Sequence, residues 1–157
     1  MAKIHNFQSS LSFGKQIESQ LDEIFSRWYQ IKEVSLEDER KLGIDRIFTR
    51  KDGSKLRIEY KADRQTINTS NIFIELEVSG KPGWTKKTVA DVVVYAIVDK
   101  LNNIDSALIL TQEFIKLSLP SWEQLPKKRI QNTNFYGIGV LVSIESLTEE
   151  VKILSFN

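Results

Sequence analysis

The chain has 157 residues, 22 Lys and Arg against 21 Asp and Glu for a formal charge of +1, no cysteine, and one histidine, His5. A single domain of this size buries roughly two-thirds of its unfolded surface. Disulfides, thiolate zinc centres, cysteine nucleophiles and any site needing two histidines are excluded, which leaves carboxylates, lysine, tyrosine, arginine or a bound metal to carry chemistry.

The first predicted element is a helix over Leu11–Gln30, where Phe13, Ile17, Leu21, Ile24, Phe25 and Trp28 recur at three- and four-residue spacing and form one buried face. Ser9, Ser10 or Ser12 is placed to cap it, and Glu18 and Asp22 stack on one flank. Lys32–Leu36 reads as a short edge strand and Glu37–Lys41 as a charged loop. Two strands follow, Ile44–Thr49 and Lys55–Ala62, and the Asp52-Gly53 pair between them is a strong hairpin signal. Asn71–Ser79 alternates as a strand, with Ile72, Ile74, Leu76 and Val78 on one face and Phe73, Glu75 and Glu77 on the other.

After a Gly80–Gly83 turn, Thr85–Lys100 is long and apolar nearly all round, which predicts a buried helix, with Asp91 placed to cap it or to pair with Lys87. A short strand at Ser106–Leu110, a brief helix at Thr111–Leu117, and a loop between Pro120 and Pro126 that carries Trp122 come next. Tyr136–Ile144 reads as a strand, and Val151–Phe156 as a strand or a terminal helical turn. The expected fold is α/β or α+β around one central mixed sheet, formed by a single domain over residues 1–157. No uncharged stretch approaches the ~18–20 residues of a bilayer span, and the first residues lack an apolar signal core, so a soluble cytoplasmic protein is expected. His5 is expected to be a tail residue.

Three residues stand out. Residues two apart on a strand share a face, so Arg57, Glu59 and Lys61 point one way while Leu56, Ile58, Tyr60 and Ala62 point to a buried side. A two-residue Asp52-Gly53 turn would set Asp45 opposite Tyr60. A three-residue loop, or a bulge at Gly53, sets it opposite Glu59 or Lys61 and brings Asp45, Glu59 and Lys61 onto one face. Adjacent carboxylates stay ionised together only with a cation between them, and carboxylate oxygens suit Mg²⁺ or Mn²⁺. A lysine beside such a metal can orient water or stabilise transition-state charge, which is equipment for phosphodiester hydrolysis. The same three residues also fit a cross-strand ion-pair ladder on a solvated face.

Leu42-Gly43-Ile44-Asp45-Arg46-Ile47 followed by Ile58-Glu59-Tyr60-Lys61 resembles the PD-(D/E)XK nuclease superfamily, which includes restriction endonucleases and Holliday-junction resolvases. The resemblance covers about residues 11–110, with Gly-Ile-Asp standing in place of Pro-Asp. It implies a restriction endonuclease-like αβββαβ core with added strands. It also implies a Mg²⁺ (or Mn²⁺) ion held by Asp45, Glu59 and the Tyr60 carbonyl, with Lys61 positioning the attacking water. Glu18, with Asp22 in reserve, orients the lysine or a metal-bound water, and Glu75 is a secondary candidate. The implied activity is Mg²⁺-dependent DNA hydrolysis, and cutting two strands implies a homodimer. The alternative is a catalytically inactive nuclease-like protein that binds nucleic acid or serves in assembly.

Charge is segregated in a way that suits DNA. Residues 18–39 hold seven acids and two bases, net −5, whereas residues 50–64 hold six bases and three acids, net +3. Arg57, Lys81, Lys86 and Lys87 are candidate phosphate contacts, and Trp84 either stacks on a base or plugs the edge of the core. The run Lys127-Lys128-Arg129 is equally a phosphate contact or a solvated loop. Tyr136-Gly137-Ile138-Gly139 lacks the spacing of a phosphate loop.

Overall fold

The computed structural model describes residues 7–131, 134–147 and 149–156; His5 lies outside them. Helix α1 (Phe7–Phe25) leads to β1 (Gln30–Glu33), α2 (Leu36–Leu42) and the hairpin β2 (Arg46–Thr49) and β3 (Lys55–Asp63). An excursion follows through α3 (Thr66–Thr69), β4 (Asn71–Val78), β5 (Lys81–Pro82) and α4 (Trp84–Lys87). The chain then returns in β6 (Val92–Val98) and β7 (Ile104–Thr111), and ends through α5 (Gln112–Trp122), β8 (Lys128–Gln131), β9 (Tyr136–Ser143) and β10 (Lys152–Ser155).

The class is α+β, but the strands form two sheets rather than the one expected. A six-stranded sheet runs β1-β2-β3-β6-β7-β10, and a four-stranded antiparallel sheet runs β5-β4-β9-β8. In the larger sheet only β3 and β6 are parallel. Parallel neighbours need a crossover, and here β4, β5 and two single-turn helices supply it. That choice lays the second sheet over one face of the first.

Side-chain alternation then builds two cores. Ile58 and Tyr60 of β3 and Val94, Ala96 and Val98 of β6 pack with Ile17, Leu21 and Phe25 of α1. Val93, Tyr95 and Ile97, the other face of β6, pack with Ile72, Ile74 and Leu76 of β4, Val140 and Val142 of β9, and Ile115 and Trp122 of α5. Strand β6 is therefore buried on both faces, which explains its unbroken apolar run. This overturns the expected helix over Thr85–Lys100: only Trp84–Lys87 is helical, and the β-branched Val92-Val93-Val94 forms the middle of the sheet.

Other boundaries also move. Helix α1 starts at Phe7, so Ser9, Ser10 and Ser12 lie inside it rather than before it. It stops at Phe25, and Trp28, expected in the core, lies beyond it and is 54% exposed, its ring edge-on to Phe25. The charged Glu37–Lys41 stretch is helical within α2. Helix α5 runs on through Pro120 to a buried Trp122, which the sequence reading placed in a loop. The terminal segment is a strand at the edge of the larger sheet. No described helix is long and apolar enough to cross a membrane.

Candidate active site

The hairpin sets the geometry. The Arg50 amide donates to the Ser54 carbonyl, closing a three-residue loop in which Gly53 takes φ +87° and Asp52 accepts from the Ser54 amide at 2.8 Å. The resulting register pairs Thr49 with Lys55 and Arg46 with Ile58, where the ladder ends, and Asp45 lies one residue beyond it. The odd register that the nuclease reading required is the one present.

The Gly-Ile-Asp segment is held from the side. Gly43 has φ +66°, and an added Cβ would come 3.2 Å from Thr88 Cα. The Thr88 hydroxyl donates to the Gly43 carbonyl at 3.0 Å, and the Val89 amide donates to Leu42. Glycine here permits both the left-handed turn and the close approach. Ile44 is thereby buried, the Asp45 amide donates to the Ile58 carbonyl at 2.8 Å, and Asp45 Oδ2 accepts from the Tyr60 amide at 2.6 Å.

Glu59 points to the opposite side of β3 from α1, under the second sheet. Its side chain is 6% exposed, and Oε1 lies 3.1 Å from Lys61 Nζ. Oε2 is buried without a hydrogen-bond partner. Burial pushes the Glu59 carboxyl above the usual range, the neighbouring Asp45 charge acts in the same direction, and Lys61 opposes both. The nearby Thr88 hydroxyl also favours the ionised form, but its one proton is engaged by Gly43.

Lys61 Nζ also lies 5.7 Å from the centre of the Trp84 ring. Trp84 is itself buried, so it is a core-edge plug that backs Lys61 rather than a free stacking surface. A β-bulge between Glu75 and Glu77 in β4 re-aims that strand. Glu75 Oε1 accepts weakly from the Trp84 amide at 3.4 Å, and the Thr85 hydroxyl donates to the Glu75 carbonyl at 2.6 Å. Burial pushes the Glu75 carboxyl up, while the Lys61 charge pulls it down. The turn before Trp84 must be glycine, because a Cβ on Gly83 would stand 2.6 Å from the Glu75 carbonyl oxygen.

On the α1 side, Arg46 is buried among acids. Nε reaches both oxygens of Asp22 at 3.1 and 3.2 Å, and Nη1 donates to the Asp45 carbonyl at 2.9 Å. Glu18 and Glu33 lie 3.7 and 3.6 Å away. The Tyr60 hydroxyl donates to Asp22 at 2.8 Å. Burial, helped by Asp45, raises the Glu18 carboxyl above its usual range.

One open cleft gathers these groups. Glu18, Asp45, Glu59, Tyr60, Lys61 and Glu75 line it. Lys81, Lys86 and Lys87 form its rim, with Lys86 also 2.9 Å from Glu123. Arg57 is not brought in: it makes a two-pronged pair with Asp91, which in turn is not the partner of Lys87 as expected. Asp22 belongs to Arg46 rather than to the cleft wall, and Glu77 does not line the cleft. Arg46 and Thr88 are the residues that sequence reasoning missed. Arg46 had a signal: it shares parity with the core residue Phe48 and sits opposite the Glu18–Asp22 flank, where a lone cation is conspicuous.

The donor set fits a hard divalent cation. Among the described residues no three His, Cys, Asp or Glu side chains converge as a ready-made metal cage. Mg²⁺, however, commonly takes one or two carboxylates and keeps several waters, and Asp45 and Glu59 supply two. The orphaned, buried Glu59 Oε2 is the oxygen such an ion would satisfy. The Tyr60 amide faces Asp45 beyond the start of β2, and its carbonyl, on the same strand edge, could serve as a third donor. No family model matches the chain, and no curated protein matches it.

Proposed function

We propose that the protein is a Mg²⁺-dependent nuclease that hydrolyses DNA phosphodiester bonds, in the manner of the PD-(D/E)XK enzymes its motif resembles. The observation that supports this reading is a buried, unpartnered Glu59 Oε2, with Lys61 3.1 Å from the other oxygen and the Asp45 carboxylate close by on the Tyr60 amide. An isolated buried carboxylate oxygen is costly, and it is tolerated most readily where a ligand completes it.

Asp45, Glu59 and the Tyr60 carbonyl would hold the ion, which when bound lowers the pKa of coordinated water and offsets charge on the phosphoryl group. The protein's own groups do the rest. Asp45 is oriented by the Tyr60 amide, so its outer oxygen is presented at a set angle. Lys61, braced by Glu59 and the Trp84 ring, directs its ammonium at the attacking water and the phosphoryl oxygens. Glu75, a cleft-lining carboxyl on β4 that feels the Lys61 charge, would accept a proton from the water that Lys61 orients. Lys81 and Lys87 on the rim attract the flanking phosphates. The cleft, about 1330 Å³, exceeds the ~300–1,000 Å³ of a small-molecule pocket, which suits a polymer. Duplex cleavage requires two such sites, hence a homodimer, and a cytoplasmic location accords with a DNA substrate.

Plasmid and oligonucleotide DNA incubated with Mg²⁺ or Mn²⁺ tests the reading. Cleavage by the wild type and its loss in Glu59→Gln and Lys61→Ala are expected. A wild type that neither binds metal nor cuts any DNA form overturns it. One observation favours the second reading, an inactive nucleic-acid-binding protein: Asp45 Oδ2 is already engaged by the Tyr60 amide. DNA binding that is indifferent to metal, with no cleavage, would select it.

A further inference from the structure

The acidic cleft has two halves: the α1 half holds the Arg46 guanidinium, and the β3 half holds Lys61, which meets one oxygen of Glu59 and leaves the other without a partner. On the α1 side, Arg46 is 7% exposed and its guanidinium addresses Asp22, Glu18, Glu33 and the Asp45 carbonyl within 4 Å. It also lies over the Tyr60 ring at 5.4 Å. Guanidinium does not lose its proton in proteins and is weakly hydrated, so it tolerates burial among carboxylates better than an ammonium does. On the β3 side, Glu59 Oε2 has no partner.

We propose that Arg46 is the resident cation of the α1 half of this cleft: it pre-empts Glu18 and Asp22 and confines divalent-metal binding to a single ion at the Asp45–Glu59 half. The inference rests on the metal-dependent reading above and adds a role for Glu18 to it. Glu18, to which the family resemblance gives the task of orienting the lysine or a metal-bound water, becomes a positioning residue that acts through Arg46.

Three geometric facts support the division. Both oxygens of Asp22 accept from Arg46 Nε, and one of them also accepts from the Tyr60 hydroxyl. Asp22 has little capacity left for an ion. Glu18 Oε1 faces Nη1, so a divalent cation there would sit against a fixed positive charge. The bond from Arg46 to the Asp45 carbonyl fixes the backbone that carries the first proposed ligand, so the guanidinium also orients the half it does not occupy.

Counting bound Mn²⁺ by electron paramagnetic resonance at neutral pH tests this without reference to turnover. The wild type should bind one Mn²⁺ per chain, and Glu59→Gln should weaken it by about tenfold or more. Glu18→Gln should leave the affinity within about threefold, because its carboxylate is engaged by Arg46. Arg46→Met, checked for a native circular dichroism spectrum, should admit a second Mn²⁺, and adding Glu18→Gln should return the count to one.

A tenfold or greater loss of affinity in Glu18→Gln overturns the proposal, as does a natively folded Arg46→Met that still binds one ion. If Arg46→Met does not fold, Glu18→Gln decides alone, supported by Arg46→Lys, which keeps the charge and should keep the count at one. A wild type that binds no Mn²⁺ overturns the metal-dependent reading itself, a failure distinct from either of the first two.

Discussion

Arg57 and Lys61 stand four residues apart on the same face of β3, and each meets a carboxylate, yet the two pairs have opposite characters. Asp91 takes three hydrogen bonds from Arg57, one from the backbone amide at 2.7 Å and two from the guanidinium. Those bonds hold the Asp91 carboxyl below its usual range. Both side chains remain partly in water, and the pair joins the start of β3 to the start of β6. Lys61 meets Glu59 through one oxygen only, the other is buried and alone, and burial holds that carboxyl above its usual range. The first pair is complete as structure. The second is incomplete until something else arrives. Strongly perturbed acids in a cleft mark functional sites more often than finished ion pairs do, and β3 displays both kinds within five residues.

The largest expected effect breaks the incomplete pair. Lys61→Ala should reduce DNA cleavage by about 10²–10⁴-fold, the scale of one catalytic group, whereas Arg57→Ala should leave the rate nearly unchanged. Steady-state cleavage of a labelled oligonucleotide checks both. If Arg57→Ala also removes activity, the contrast between the pairs fails.

Next in size is the glycine that seats Asp45. Gly43→Ala forces a side chain into the left-handed region and against Thr88, and should cost about 1–2 kcal/mol. Denaturant unfolding measures that cost, and metal affinity should fall with it because Asp45 moves.

Smaller, and opposite in sign between the pairs, are the changes in metal-free stability. Asp91→Ala removes the acceptor of the Arg57 amide and should destabilise by about 1 kcal/mol, a figure discounted for the pair's exposure. Glu59→Gln removes a carboxylate whose ionised form burial disfavours, and at neutral pH should stabilise the metal-free protein by about 1 kcal/mol, or roughly 2–4 °C in Tm. With Mg²⁺ present the order should reverse, because only the wild type gains from the ion. Thermal melts with chelator and with Mg²⁺ read both.

The smallest effect is a slope with pH. Glu59, Glu18 and Glu75 all have folded-state values raised above the ordinary 4.5 by burial. The folded state therefore holds more protons than the unfolded state in the window above 4.5, and stability falls as pH rises through it. Asp91 is shifted the other way, so its contribution is lost only as pH falls below its ordinary 3.8. Metal-free melts from neutral to mildly acid pH should show Tm rising on acidification, with a shallower rise in Glu59→Gln. A Tm that falls on acidification across this window contradicts the assignment.

Much of the site was legible because a strand's period is two. Alternation alone put Glu59 and Lys61 on one face and Tyr60 on the other, and Asp52-Gly53 marked the hairpin. The α1 periodicity correctly exposed Ile17, Leu21 and Phe25 as core. Strand β6 was misread because a segment buried on both faces has no amphipathic period to distinguish strand from helix. Trp28 was misread because periodicity continues past the point where the backbone leaves the helix.

The sequence by itself determined the local facts: which residues are acidic, which alternate, where the chain turns, and that no cysteine and no pair of histidines can take part. The tertiary structure alone decided the rest. A loop of three rather than two residues set the register that pairs Arg46 with Ile58 and leaves the Asp45 carboxylate on the Tyr60 amide. The crossover through a second sheet buried Glu59 and brought Glu75 and Trp84 to Lys61. Arg46 became the hub of the acids because α1 and β1 close around β2. These outcomes depend on contacts between residues up to dozens of positions apart, where burial and Coulomb interaction act through space and the local pattern carries no record of them.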